Sequence, residues 1–252
     1  MTKIKISAVS YTNTFPFIYG LENSPIIEHI DLSKDIPSIC AQKLLENKVD
    51  IGLIPVAVIP KLNHHEIISD YCIGASGPVR SVILASFKPI NEIETIYLDY
   101  HSRSSVMLTR ILAKRFWNIN VQWTDTTEGF EKRLKENEAA VIIGDKALSV
   151  ENNFPFVYDL AEEWIKYTKH PFVFAAWVTN KNIETRFKTE FNTALEFGLN
   201  NMDKMIQSSD FSYLPEHINP KEYLTKNIDF KLDKNKLNGL NLFLEYSGDF
   251  QK

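Results

Sequence analysis

Neutral hydrogen-bonding side chains follow several strand-like runs in this sequence. The first run, KIKISAV, leads into a loop that offers donors and acceptors but neither a strong base nor a metal ligand. In open α/β sheets, ligands bind at the carboxyl ends of the strands, so groups at these ends converge from distant parts of the chain. The residues at the predicted strand ends are Tyr11, Thr12, Asn13, Thr14, Pro55, Gly77, Pro78, Arg80, Ser81, Ser102, Arg103, Ser104, Ser105, Gly144 and Asp145. This set favours a cleft that binds a small anion and contains no metal.

The segment HSRSS, residues 101–105, is the clearest single feature of that set. Its serines and its arginine open an amphipathic helix directly after the strand-like run TIYLDY. The free N–H groups and the positive end of the helix dipole favour a carboxylate or phosphate at such a position. The alternative is that one serine only caps the helix.

Arg80 and Asp145 each allow two interpretations. A buried Arg80 could grip a carboxylate bidentately, or it could be a surface charge after a glycine-shaped turn. Asp145 ends the apolar run AAVIIGD. A carboxylate there is costly unless it is paired or functional, although it could also cap the next helical turn.

Histidines and common nucleotide motifs give weaker signals. His64 and His65 are adjacent in a polar turn, which is poor spacing for a metal site. His101 and His170 flank predicted cleft segments and are second-rank candidates for acid–base work. The sequence contains no GxGxxG, no GxxxxGK[ST] and no GxSxG motif, so we expect no cofactor of those classes.

Strand and helix patterns alternate over the first two thirds of the chain. This βαβ alternation predicts an α/β protein with parallel sheets covered by helices. The runs SVILASF and PFVFAAWV flank a second unit and are predicted to cross between two lobes, with a ligand cleft between them. We therefore expect one lobe from residues 1–87 and 174–252, and another from residues 88–173. EGFEKRLKEN is predicted as a helix, and no strand is predicted after Asn180.

The composition excludes several classes of protein. The chain has 252 residues and a net charge of -4, so it lacks the basic surface expected of a nucleic-acid-binding protein. Its two cysteines, Cys40 and Cys72, lie in apolar surroundings and predict buried free thiols. The longest apolar runs are too short to span a bilayer, and the N-terminus shows no apolar signal region. We expect a cytoplasmic protein without a membrane partner, and an oligomer is possible.

Six ordered sequence blocks resemble one known family. They are YTNTFPFIYGL, VDIGLIPVAVIP, GASGPVRSVIL, LDYHSRSSVMLTRIL, VIIGDKAL, and VYDLAEEWIKYT with PFVFAAW. Together they are similar to the menaquinone-biosynthesis enzymes of the futalosine pathway, in particular the chorismate dehydratase branch. The sister branch, which makes 1,4-dihydroxy-6-naphthoate, has a segment more like SPCPNDTF where this chain has SYTNTFPF.

The resemblance implies a fold like that of type II periplasmic binding proteins, with the substrate between two α/β lobes. It also implies a lyase that converts chorismate, a dianion, to 3-[(1-carboxyvinyl)oxy]benzoate and water without a cofactor. We assign Asn13 and Tyr11 to catalysis, with the substrate's own enolpyruvyl carboxylate as the base. The substrate-binding residues are then Thr14, Pro55, Arg80, Ser81, Ser102, Arg103, Ser104, Ser105, Gly144 and Asp145.

One departure from the family pattern and three competing functions stay open. The family has a TGxPFVFA-like stretch where this chain has TKHPFVFA, so Lys169 and His170 either tune the site or only change a turn. The sister naphthoate synthase is the nearest enzymatic rival. A non-enzymatic solute-binding protein is a second rival, because a fold does not fix function. A transcription-factor effector domain is less favoured, because such domains normally follow a DNA-binding helix-turn-helix.

Overall fold

A computed structural model of the chain describes residues 3–99, 102–126 and 129–250. The strands over these residues are β1 (Ile4–Val9), β2 (Ile30–Asp35), β3 (Ile51–Pro55), β4 (Glu66–Ala75), β5 (Val82–Ser86), β6 (Thr95–Leu98), β7 (Gln122–Asp125), β8 (Glu138–Ile143), β9 (Phe156–Asp159), β10 (Phe172–Thr179) and β11 (Asp229–Lys231). The α-helices are α1 (Phe15–Glu22), α2 (Pro37–Leu45), α3 (Arg103–Arg115), α4 (Asp145–Val150), α5 (Leu160–Thr168), α6 (Thr185–Asn200), α7 (Met202–Ser208), α8 (Pro220–Glu222) and α9 (Lys234–Ser247). None of these helices is both long and apolar enough to cross a membrane.

Two sheets define two lobes, as the sequence predicts. The first sheet has the strand order β11-β4-β10-β3-β1-β2, and the second has the order β7-β6-β8-β5-β9. β1 pairs in parallel with β2 and β3, and β6 pairs in parallel with β7 and β8. The carboxyl ends of β1, β3 and β8 therefore point into the space between the lobes.

The prediction of purely parallel sheets is wrong. β10 runs antiparallel to both β3 and β4, and β5 runs antiparallel to both β8 and β9. Strands covered on both faces have near-continuous apolar sequences whichever way they run, so composition cannot give their direction. Both antiparallel strands adjoin the connections between the lobes. β5 follows β4 with no helix between them, whereas β10 follows α5.

Three segments differ from the sequence-based expectation. β5 pairs in the second sheet, whereas a boundary at residue 87 assigned it to the first lobe. Among the described residues 129–137 of the predicted helix EGFEKRLKEN, only Phe130–Arg133 are helical, as a short 3-10 turn. A segment this short presents too little apolar surface to stabilise a longer helix. β11 lies after Asn180, where no strand was predicted, and its three residues are too few to show a periodic pattern.

The C-terminal helix α9 joins the two lobes. Phe243 on α9 packs edge-on against Trp164 of α5 and Phe172 of β10, with ring centroids 6.2 and 5.0 Å apart. Lys236 of α9 is fully buried and forms an ion pair with Asp229 of β11 at 2.6 Å. Burial raises the pKa of Asp229, but Lys236 and the Ser76 hydroxyl lower it overall. These contacts fix the C-terminal segment beside the cleft.

The turn after α5 explains the departure from the family's TGxPFVFA pattern. Lys169 follows the last residue of α5 with φ of 64°, in the left-handed conformation that usually falls to glycine at a helix C-terminus. Its ammonium donates to the Lys166 carbonyl at 2.9 Å and does not enter the cleft. Lys169 in place of the family's glycine therefore changes the turn after α5 and not the cleft.

We predict that Lys169→Gly is more stable than Lys169→Ala by about 1 kcal/mol, because an L-residue in the left-handed conformation costs about that much. Both variants remove the same side chain, so they differ in the backbone strain at this position. Urea unfolding monitored by circular dichroism measures the difference. Equal midpoints would show that φ at residue 169 carries no strain.

Candidate functional site

A small cavity lies between the lobes at the carboxyl ends of β1, β3 and β8. Its volume is about 50 Å³. The described lining residues are Val9, Tyr11, Asn13, Thr14, Pro37, Pro55, Ile73, Ser81, Val82, Ser102, Ser105, Ile143, Gly144, Phe174 and Ala175. None of them is charged. The polar members are hydroxyl and amide groups, so the described lining offers a ligand neutral hydrogen bonds, backbone groups and apolar contact.

The loop after β1 forms one wall of this cavity. Thr12–Thr14 is a 3-10 turn that leads directly into α1, whose Pro16 stands in the first turn where a missing N–H is harmless. The buried Thr14 hydroxyl donates to the Asn13 side-chain oxygen at 3.2 Å. This bond orients the amide of Asn13, which lines the cavity together with Tyr11 and Thr14.

Gly144 brings the second lobe into contact with that loop. It has φ of 66°, and a Cβ atom built on it would lie 2.9 Å from the Tyr11 ring. Both the backbone conformation and the lack of space require glycine here. The aromatic ring of Tyr11 thus packs directly on the backbone at the end of β8.

Asp145 forms a bridge between the lobes and does not line the cavity. Its two carboxylate oxygens each lie 3.3 Å from the Thr12 backbone nitrogen, which donates to them, and the Thr12 hydroxyl shares a 2.7 Å hydrogen bond with Tyr213. Burial raises the pKa of Asp145, and the hydrogen bonds from Thr12 oppose that rise. Asp145 is the first residue of α4, and its N-cap Gly144 offers no side chain. The carboxylate is therefore paired across the cleft.

Ser81 and Tyr223 form a buried pair at the base of the cavity. The Tyr223 hydroxyl donates to the Ser81 oxygen at 2.7 Å, and both residues are at most 1% exposed. Burial raises the pKa of Tyr223, and hydrogen bonds with Ser81 and Asn13 oppose that rise. The sequence pattern does not indicate Tyr223 or Tyr213 as site residues, because they lie in the C-terminal segment and follow no predicted strand.

The serines before and within α3 divide between two tasks. Ser102 caps the helix by accepting the Ser105 N–H at 3.2 Å, and its hydroxyl donates to that of Ser105 at 2.8 Å. Both face the cavity. Ser104 instead donates to the Phe174 carbonyl at 2.9 Å and accepts the Ala57 N–H at 3.3 Å. Ser104 therefore fastens α3 to the first lobe.

The predicted arginines lie outside the cavity. Arg80 forms an ion pair with Glu151 through its guanidinium, and its backbone N–H donates to Asp159 at 2.6 Å. Asp159 also caps α5. Its hydrogen bond with the Arg80 N–H therefore holds the Arg80 backbone next to that helix. Arg103 lines a neighbouring groove along α3. The structure thus brings most of the neutral residues of the predicted site together and leaves its two cations outside.

The remaining candidates lie elsewhere in the chain. Pro55 lines the cavity, whereas Gly77, Pro78 and His170 are absent from its walls. His101 lies outside the described residues. Within the part of the chain that the structure describes, no group of three or more histidine, cysteine or acidic side chains could hold a metal ion.

Solved structures with this architecture include periplasmic binding proteins. Protein AF1704 from Archaeoglobus fulgidus superposes with a TM-score of 0.74 at 11% identity, over 98% of this chain and 97% of that one. The Candida albicans CA3427 gene product, which has the generic periplasmic binding protein fold, gives 0.68 at 15% identity, over 100% and 92%. The aliphatic sulphonate binding protein SsuA from Escherichia coli gives 0.58 at 14% identity, over 99% and 92%. The chain therefore has the two-lobed periplasmic-binding-protein fold.

A family model described as menaquinone biosynthesis matches residues 4–249. The match includes both lobes, the loop after β1, and the C-terminal segment that carries Tyr213 and Tyr223. The chain belongs to this menaquinone biosynthesis family.

Proposed function

We propose that the protein is a chorismate dehydratase, a lyase that converts chorismate to 3-[(1-carboxyvinyl)oxy]benzoate and water in menaquinone biosynthesis. The observation that carries the proposal is the uncharged cavity lined by Tyr11, Asn13, Ser81, Ser102 and Ser105, in a chain of the menaquinone biosynthesis family. The segment SYTNTFPF, which supplies Tyr11 and Asn13, also resembles the dehydratase branch more than its sister.

The proposed reaction needs little from the protein beyond orientation and exclusion of water. A ring C–H bond and the neighbouring C–O bond break, the C–H electron pair becomes part of the aromatic ring, and the hydroxyl leaves with a proton as water. Aromatisation supplies the driving force. We assign proton abstraction to the substrate's own enolpyruvyl carboxylate, because the described cavity lining offers no carboxylate or imidazole.

Neutral donors suit a dianionic substrate in this setting. Hydroxyl and amide groups aimed at a carboxylate stabilise it in a water-excluded site without adding a charge that must itself be desolvated. In our proposal Ser102 and Ser105, at the positive end of the α3 dipole, hold one carboxylate, and Asn13 orients the reacting part of the ring. Tyr223 holds Ser81 in place through its hydroxyl.

The small volume of the cavity implies that the lobes separate when substrate enters. A volume of about 50 Å³ is well below the roughly 300 Å³ at the lower end of small-molecule sites. The contacts that must then break are those between Thr12 and Asp145 and between Tyr11 and Gly144. Closure over the substrate would expel water from the reacting centre.

Incubation of the purified protein with chorismate tests the function. We expect a new aromatic product in the ultraviolet spectrum, and mass spectrometry should show a loss of one water. Binding of chorismate without turnover would favour a small-anion binding protein, a role consistent with the sulphonate-binding relative. Turnover of a cyclic futalosine-type substrate instead would identify the sister 1,4-dihydroxy-6-naphthoate synthase.

Asn13→Ala is expected to lower kcat on chorismate roughly 100-fold, the effect typical of removing one preorganised donor. The matched control is Asn23→Ala, because Asn23 is exposed at the end of α1 and donates only to the Tyr19 carbonyl. Steady-state assays with circular dichroism of both variants give the comparison. Near-normal turnover by folded Asn13→Ala protein would remove Asn13 from the catalytic assignment.

Ser105→Ala and Ser104→Ala are expected to separate binding from stability. Loss of the Ser105 hydroxyl should raise KM for chorismate about tenfold, because a hydrogen bond to a carboxylate is lost. Loss of the Ser104 hydroxyl should leave KM unchanged and lower the unfolding free energy by about 1 kcal/mol, because it strands the Phe174 carbonyl and the Ala57 N–H. An unchanged KM in Ser105→Ala would exclude Ser105 from the carboxylate site.

A further inference from the structure

A second opening lies beside the cleft, along the outer face of α3. This α3 groove has a volume of about 520 Å³ and runs from Ser102 to Arg110, with Lys61 and Phe250 on its opposite side. Its volume falls within the range of small-molecule sites, which is roughly 300–1,000 Å³. Ser102 is the one described residue that lines both the groove and the cleft cavity.

Three cationic side chains line the α3 groove, namely Lys61, Arg103 and Arg110. Elsewhere in the described chain, Arg80, Arg115 and Arg186 each pair with a carboxylate. For the three cations of the groove, the described residues supply no carboxylate within ion-pair distance. Asp99 is the single acidic residue among the described lining, and it is 5% exposed. The groove therefore carries a net positive charge in a protein whose net charge is -4.

One buried N–H donor of the Arg110 side chain has no acceptor among the described residues. Its guanidinium carbon lies 5.3 Å from the centroid of the Trp123 ring, so the aromatic face holds the side chain in place. The Nε atom is buried and has no hydrogen-bond partner among the described residues. The Arg110 side chain as a whole is half-buried and lines the groove, where it can face a ligand.

We propose that the α3 groove binds a small organic anion with a planar or tetrahedral oxyanion head and a short apolar body. Guanidinium groups match carboxylate and phosphate oxygens in geometry as well as charge. Val106, Met107 and Phe250 supply an apolar wall beside them. The site is separate from the cleft in which we place chorismate, and it gives Arg103 a role other than contact with that substrate.

Isothermal titration calorimetry at low ionic strength tests the proposal with benzoate, phenyl phosphate and inorganic phosphate as probes. We expect benzoate or phenyl phosphate to bind the full chain, and inorganic phosphate to bind at least tenfold more weakly than phenyl phosphate. Arg110→Gln should weaken binding at least tenfold, and so should Arg103→Gln. Because the Arg103 side chain is exposed, that second variant keeps the test valid if Arg110→Gln does not fold.

Arg186→Gln is the matched control, because Arg186 is an exposed arginine paired with Glu190 on α6. It removes the same charge and should leave the probe affinity unchanged, as should Asn13→Ala in the cleft. Absence of binding by the unmodified protein, or probe affinity in both groove variants equal to that of the unmodified protein, would overturn the site. Loss of probe binding in Asn13→Ala would place the anion in the cleft. Equal affinity for the two phosphates would refute the apolar part of the site.

Discussion

The arrangement of the site depends on a contact between two buried backbone segments, one from each lobe. The Thr12 N–H donates to the Asp145 carboxylate, and the Tyr11 ring packs on Gly144, where no side chain would fit. A buried carboxylate is tolerated there because it accepts this hydrogen bond. The convergence on the cavity of donors from both lobes depends on that contact.

The C-terminal segment adds two side chains to the site formed at the strand ends. Tyr223 reaches the base of the cavity and holds Ser81, while Tyr213 holds the Thr12 hydroxyl from outside. This segment is itself fixed by the buried Lys236–Asp229 ion pair and by Phe243 between the two lobes. The fold neighbours share the two-lobed scaffold, whereas the chemistry we propose rests on the side chains placed at this junction.

Much of the site could be predicted because strand ends in an α/β sheet converge whatever the details of packing. Asn13, Thr14, Pro55, Ser81, Ser102, Ser105 and Gly144 all line the cavity. Arg80 and Arg103 do not, because a cation is drawn to the nearest carboxylate or to solvent, and neither partner is visible in a linear pattern. Strand direction could not be predicted either, because β5 and β10 are buried along their whole length and are almost entirely apolar.

The sequence by itself determined the alternation of strands and helices, the two lobes and the neutral character of the cleft, because these depend on local periodicity and residue type. Only the tertiary structure decided which neighbouring side chains meet. Successive residues of a helix turn by about 100°, so Ser102 and Ser105 face the cavity while Ser104 faces β10 and Arg103 faces the groove. Contacts such as Thr12 with Asp145 join residues more than a hundred positions apart. Such pairings arise from packing of the whole chain, and no local pattern encodes them.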